Sequence, residues 1–361
     1  MSVNITNIPF DNIVRFGQQT MLDRKLFNVS WILGRFCNYN CSYCWPYAHS
    51  KNVDHRPLQV YKNTIDEIKS QARANGFDSF HFSFSGGEPT AYKRFLSVIE
   101  HYANDSIATY QSLHMTTNAS PGFKWWNIWL KTTERLARRS ITASFHHEFA
   151  DEDVFGDKLL MLQDSAVYVT INQVMVPHLF DELYERCDRF HKRGINVTLK
   201  PQSNESASEI VDGYNDEQIK LMRTGFPLKY NGVSAQQIQL TDHKGTSYNI
   251  DQAERFNAFG FNKFKGWNCH AGYQSCIIRE PGGEIKRAYS CHDEPLGTID
   301  KGFKLFSKPN ACITPSCVSS ADSKIPKFRK MDFLENALQE QEMLEISRQQ
   351  SVRNKKERAN V

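Results

Sequence analysis

The sequence predicts an α/β protein with a small, cysteine-rich α+β extension at its C-terminal side. Three observations carry the expectation. Between residues 28 and 202, six short β-rich runs alternate with amphipathic helical runs. After about residue 202 that rhythm gives way to a polar, irregular stretch. From Gly266 to about Ser320, five cysteines then gather around a hairpin signal.

The strand candidates are "NVSWILG" (28–34), "SFHFSF" (79–84), "YQSLHMTT" (110–117), "RSITASF" (139–145), "AVYVTINQVMV" (166–176) and "INVTLKP" (195–201). Helical runs lie near 57–74, 91–104, 123–137, 151–163 and 178–193. In the first of these, Ile65, Ile68 and Ala72 recur at helical spacing and Gly76 supplies a stop. Strand–helix alternation with short loops means a parallel sheet with right-handed crossovers. An open doubly wound sheet and a partial barrel both satisfy it, and either gathers ligands at the C-terminal strand ends. Residues 203–265 read as a connecting region with one helix near 215–223. In "SCIIREPGGEIKRAYSC" two alternating runs flank Pro281-Gly282-Gly283, a hairpin pattern. Residues 331–349 predict a helix and "SVRNKKERANV" a frayed basic tail. The division is therefore an N-terminal segment (1–27), a core (28–202), the connecting region, an extension (266–320), and a helix with tail (321–361).

Composition narrows the function classes. With 361 residues, 40% of them hydrophobic, the chain is long and apolar enough to fold. A net charge of +4 gives no global basic field, so nucleic acid is not an expected partner. The tail "RNKKER" alone motivates an RNA-modifying alternative. No run of 18 apolar residues suggests a membrane span, and "MSVNITNIPFDNIV" lacks the pattern of a signal peptide. The expected location is cytoplasmic, where nine cysteines serve as thiols and metal ligands rather than disulfides.

Directly after the first strand, "GRFCNYNCSYCWPY" places Cys37, Cys41 and Cys44 in the spacing C-x3-C-x2-C. A structural zinc site needs four ligands, which His49 or His55 could complete. A non-enzymatic zinc-binding module is therefore one reading. The other is an iron–sulfur cluster, in which three thiolates leave one iron open to a substrate or cofactor.

"CNYNCSYC" resembles the C-x3-C-x-aromatic-C loop of the radical S-adenosylmethionine (radical SAM) superfamily, with Tyr43 as the aromatic residue. The resemblance implies a partial (β/α)6 TIM-like barrel. It implies that Cys37, Cys41 and Cys44 hold a [4Fe–4S] cluster whose fourth iron is chelated by S-adenosylmethionine. One electron, from a donor such as flavodoxin or ferredoxin, then cleaves the cofactor to a 5′-deoxyadenosyl radical that abstracts hydrogen from the substrate. The motif after the second strand, "FSFSGGEPT", is similar to the family's GGE element. Glycines there let the main chain approach a ligand, and the match casts Gly86, Gly87 and Glu88 as contacts to the methionyl amine. Further along, Asn118 in "MTTNAS" stands where the family often has TNG, with Ala119 in place of the glycine. Ser144 in "ITASFHHE" matches a ribose contact, without the usual SxDG continuation, and Asn172 is a further cofactor candidate. His146 and His147 point to opposite faces if the strand continues, so one could act as acid or base. Glu148 is weighed alongside them.

The second cysteine group resembles a twitch domain, the shorter relative of the SPASM domain. There one cysteine precedes a hairpin, one follows it, and two come from a later loop. By position, Cys269, Cys291, Cys312 and Cys317 would hold an auxiliary [4Fe–4S] cluster. Cys276 is then surplus: a core thiol, a substitute ligand for Cys269, or a catalytic thiol. Cys187 sits alone in a helix and reads as a packing residue. The resemblance implies hydrogen abstraction followed by a net oxidation or cross-link. With about 27 residues before the first strand, the expected substrate is a small molecule, or else a peptide or protein residue delivered separately.

Overall fold

The computed structural model of the chain describes residues 9–23, 25–44, 50–52, 55–204, 209–229, 238–250 and 261–329. The helix expected at 331–349, the basic tail, His49 and Trp45-Pro46-Tyr47 lie outside the described residues.

Strand β1 (Ile13–Gln18) and the short helix α1 (Gln19–Asp23) come first. Six strands follow: β2 (Leu26–Ile32), β3 (Ser79–Ser85), β4 (Tyr110–Thr117), β5 (Arg138–Ser144), β6 (Tyr168–Met175) and β7 (Asn196–Pro201). Between them run α2 (Leu58–Ala74), α3 (Phe95–Ala103), α4 (Phe123–Thr132), α5 (Glu152–Asp164) and α6 (Phe180–Lys192). All six strands pair in parallel and in chain order. The expected α/β architecture is present; the barrel does not close, and β7 is left as a sheet edge.

Local sequence explains the elements. In α2, Tyr61, Ile65, Ile68 and Ala72 fall on one buried stripe, and Gly76, at φ +84°, stops the helix in a left-handed turn. Asp151 caps α5 by accepting from Val154 N at 2.9 Å. The strands alternate. In "SFHFSFS", Phe80, Phe82 and Phe84 are fully buried under the helices, each contributing about 1.5–3 kcal/mol by burial. The other face of the sheet carries Asn28, Ser30, His81, Ser83, His114, Thr142, Ser144 and Asn172, interrupted by Ile32, Val174 and Ile277.

After β7 come α7 (Asp216–Thr224), β8 (Ile238–Asp242), β9 (Ser247–Ile250) and β10 (Asn268–Cys269). The hairpin is β11 (Ser275–Arg279) with β12 (Glu284–Lys286). Then come β13 (Gly297–Thr298), β14 (Gly302–Phe303), β15 (Asn310–Ala311) and β16 (Lys327–Phe328). The hairpin does not stand apart. β11 lies parallel to β2, Ser275 opposite Asn28, so the sheet runs β14-β13-β12-β11-β2-β3-β4-β5-β6-β7. A second, antiparallel sheet runs β15-β10-β16-β1-β8-β9. It draws β1 from the N-terminal segment and β8–β9 from the connecting region. Its core contains Phe16, Phe264, Trp267 and four cysteines.

Candidate functional site

The cysteine loop leaves β2 at its C-terminal end, where the GGE turn leaves β3. Gly87 N donates to Gly34 O at 2.9 Å and Glu88 N to Phe36 O at 2.8 Å, so the turn is laced to the loop's main chain. A Cβ on Gly86 would stand 2.7 Å from Gly34 O, and one on Gly87 would strike the Arg35 and Phe36 carbonyls. The glycines thus serve a backbone-to-backbone approach to the loop itself.

Glu88 is buried and held by this chain's own donors. Its Oε1 accepts from Thr90 N (2.9 Å), Thr90 Oγ1 (2.7 Å) and Thr117 Oγ1 (2.7 Å), and its Oε2 from Asn118 N (2.6 Å). Burial raises its pKa above the usual carboxylate range, against the pull of these donors. Glu88 therefore ties the ends of β3 and β4 together, with capacity remaining on Oε2. Asn118 bridges onward: its Nδ2 donates to Asn38 Oδ1 at 2.9 Å and lies 4.0 Å from Cys37 Sγ. Ala119 adopts φ +52°, the left-handed turn that glycine would favour, and its carbonyl accepts from the buried Lys158 Nζ.

The segment after β5 clasps the loop from the other side. His146 Nδ1 is 3.2 Å from Cys41 Sγ and 2.9 Å from Tyr43 Oη. The Tyr43 ring stacks on His147 at 5.2 Å. Glu148 accepts from Ser42 N at 2.8 Å and from Ser42 Oγ, and Phe149 stacks on Tyr39 at 4.9 Å. Four consecutive residues where the SxDG continuation is missing thus dock onto Tyr39–Tyr43. Burial lowers the His146 pKa to about 4, so the ring is neutral. Ser144 and Asn172 are register partners on the polar face. His55 packs on Tyr92 at 4.7 Å and Phe36 at 5.7 Å.

Two histidines missed in the sequence lie on that face. His81 Nδ1 bonds Ser112 Oγ at 2.8 Å and His114 Nδ1 bonds Ser140 Oγ at 2.9 Å. Each ring keeps some solvent contact, yet desolvation, with Arg138 and Lys324 nearby, lowers them to about 3 and about 4. The alternation in "SFHFSFS" was the signal for His81.

Among the described residues no three His, Cys, Asp or Glu side chains stand at metal-ligand spacing. The test of fit is the donor chemistry. Tyr39 N donates to Cys37 Sγ at 3.4 Å, and Ala271 N donates to Cys269 Sγ at 3.5 Å, the same two-residue N–H···S turn in both regions. Burial pushes the Cys41 thiol up to about 12, Cys291 to about 12 and Cys317 to about 11. Such thiols ionise when a metal cation binds. Cys269, Cys291, Cys312 and Cys317 share one buried cluster, whereas Cys276 lies in the other core, across from Val29. Burial raises Cys276 to about 12. The thiol donors of both sets are of the type that an iron–sulfur group takes, and Cys276 stands apart from both.

The Radical SAM superfamily model matches residues 31–223, and the chain belongs to the radical SAM superfamily. It is an enzyme of that family, which implies a [4Fe–4S] cluster and S-adenosylmethionine. The chain is similar to the GTP 3′,8-cyclase of Haemophilus influenzae strain PittEE, 26% identical over 191 residues, 50% of this chain and 54% of that one. It therefore spans about half the length of the curated relatives it matches in this way. The GTP 3′,8-cyclase of strain PittGG is 22% identical over 308 residues, 80% of this chain and 88% of that one. Among solved structures, native anSMEcpe with bound AdoMet superposes with a TM-score of 0.46 at 14% identity, covering 77% of this chain and 79% of that one. BtrN in complex with AdoMet and 2-DOIA superposes with a TM-score of 0.31 at 15% identity, covering 55% and 86%. No described helix is long and apolar enough to cross a membrane.

Proposed function

We propose that this radical SAM enzyme carries a second, auxiliary [4Fe–4S] cluster and performs a net oxidation or cross-link of a polar small molecule. The observation that carries the reading is the segregation of Cys269, Cys291, Cys312 and Cys317 into one buried cluster, apart from Cys276. When bound, the two clusters and S-adenosylmethionine supply a 5′-deoxyadenosyl radical to take a hydrogen atom and an acceptor for the substrate's second electron. In this reading Cys37, Cys41 and Cys44 hold the first cluster. Gly86, Gly87 and Glu88 shape the loop that presents it, Tyr43 and Asn118 brace the loop, and Ser144 and Asn172 face the cofactor. His146 braces Cys41 rather than exchanging protons, because its Nδ1 is engaged by Cys41 and Tyr43.

A small-molecule substrate is favoured by the polar sheet face, on which Asn28, Ser30, His81, His114 and Thr142 offer hydrogen bonds. The names of the similar cyclases, which act on GTP, point the same way. The electron donor is a flavodoxin or ferredoxin in a cytoplasmic setting. The test is anaerobic reconstitution. Protein with both clusters holds about eight irons, taking four per cluster. Replacing Cys37, Cys41 and Cys44 with alanine halves that number and abolishes 5′-deoxyadenosine formation. Continued formation by the triple variant would refute the assignment of the first site.

A further inference from the structure

Arg287 follows β12 and is almost wholly buried, its side chain 4% exposed. Nη1 donates to Asp293 Oδ2 at 2.9 Å. Nε and Nη2 have no hydrogen-bond partner among the described residues. Proteins rarely bury N–H groups without an acceptor, least of all on a cation. The side chain is placed with care. Gly272, at φ +85°, lets it pass: a Cβ there would stand 3.1 Å from Arg287 Cβ and 2.7 Å from Phe306 Cδ2. The guanidinium sits over the Phe306 ring at 5.5 Å and within electrostatic reach of Cys269 and Cys291. Arg287 also lines a small cavity with Asn28, Ser30 and Ser275 of the largely polar sheet face, closed by Cys276, Ile277 and Asp322, whose carboxylate is held by Tyr289 N and Ser290 N.

A buried, negatively charged acceptor beside those thiols would satisfy both N–H groups and the charge. The sulfurs of a cluster whose four irons are ligated by thiolates answer that description. We propose that Arg287 directs its two unpaired N–H groups at the sulfurs of the auxiliary cluster and raises its reduction potential, so that it accepts electrons from the polar face. The inference rests on the reading of Cys269, Cys291, Cys312 and Cys317 as cluster ligands. A fixed cation and N–H···S bonds both favour the reduced, more negative state. Asp293 acts against this by compensating part of the charge, so the two residues have opposite signs. Lysine cannot replace the fork of donors.

The test uses the Cys37→Ala, Cys41→Ala, Cys44→Ala protein, reconstituted anaerobically, so that the auxiliary signal is read alone by EPR-monitored redox titration. Arg287→Gln is expected to be tenfold harder to reduce, a fall of about 59 mV for one electron. Asp293→Asn is expected to shift the midpoint upward with iron content unchanged. A merely structural role would not move the two variants in opposite directions. If Arg287→Gln loses its iron, Asp293→Asn still decides, since an unmoved or lowered midpoint there overturns the assignment. Four irons retained with both midpoints unmoved overturn the Arg287 assignment alone. No iron in the triple variant overturns the auxiliary-cluster reading, and this inference with it.

Discussion

Replacing Gly87 with alanine tests whether the GGE turn is built for the cysteine loop. Gly87 has no left-handed φ, so alanine meets no intrinsic backbone penalty there and the cost isolates the close approach. Its Cβ would lie 2.6 Å from the Arg35 carbonyl carbon, with the Arg35 and Phe36 carbonyl oxygens nearer still. Backbone cannot swing aside as a side-chain tip can. Relief requires the turn and loop to part, which breaks Gly87 N–Gly34 O and Glu88 N–Phe36 O. Two such bonds are worth about 1 kcal/mol each, and overpacking adds about 1–3 kcal/mol. The sum, about 3–5 kcal/mol, is a large part of a typical stability of about 5–15 kcal/mol. Denaturant unfolding should show that loss, and iron content after reconstitution should fall from about eight toward about four. Gly282→Ala is the control: a Cβ there meets nothing within 4 Å, so it should stay within about 0.5 kcal/mol. If Gly87→Ala is as stable as the control and holds as much iron, the approach is not what the glycine is for.

Three further outcomes are expected. Cys276→Ser should keep about eight irons while losing about 1–3 kcal/mol for a buried hydroxyl; a drop in iron, measured chemically, would restore Cys276 as a ligand. Glu148→Ala removes both bonds to Ser42 and should speed chelator-driven iron loss from the first site, followed by the fading iron–sulfur absorbance; unchanged loss would deny the clasp a role. Asp105 lies 3.0 Å from the buried Lys69 and bonds Arg73, and although burial opposes it these cations hold its pKa below the usual carboxylate range. Its stabilisation is thus complete above the unfolded value of about 3.9 and lost as pH falls through the folded one. Asp105→Asn should cost about 1–3 kcal/mol near neutrality, with the gap to wild type closing below about pH 4 in denaturant melts.

The six strand–helix units were legible because their signals are local. Phe80, Phe82 and Phe84 mark a two-residue period, and Ile65, Ile68 and Ala72 a helical one, within a few residues of each other. β1 was not legible: its partners β8 and β16 lie more than 200 residues downstream, and "IVRFGQ" carries no clean alternation. The cysteine loop and the GGE turn stood out by spacing, but what the glycines touch did not. That contact is between main chains, which leave no mark in composition. The roles of His146 to Phe149 were obscured for the same reason. They meet residues 39–43 only when β5 is set in register. Arg287 had no local signal at all, since its unpaired donors are defined by what three distant segments fail to offer it.

The parallel seam between β2 and β11 also governs how the chain assembles. Gln274 Nε2 donates to Leu26 O, 248 residues earlier. At a synthesis rate of about 5–20 residues per second, β2 waits roughly 12–50 s for that neighbour. Until then one flank of the nascent sheet is an unpaired edge, the kind that recruits other strands. Contacts this remote in sequence form late and slowly. Newly made protein should therefore pass through a stage in which the loop of Cys37, Cys41 and Cys44 exists before the sheet beside it is complete. Expression under conditions that shield such edges, with added chaperone supply, should raise the yield of properly assembled enzyme.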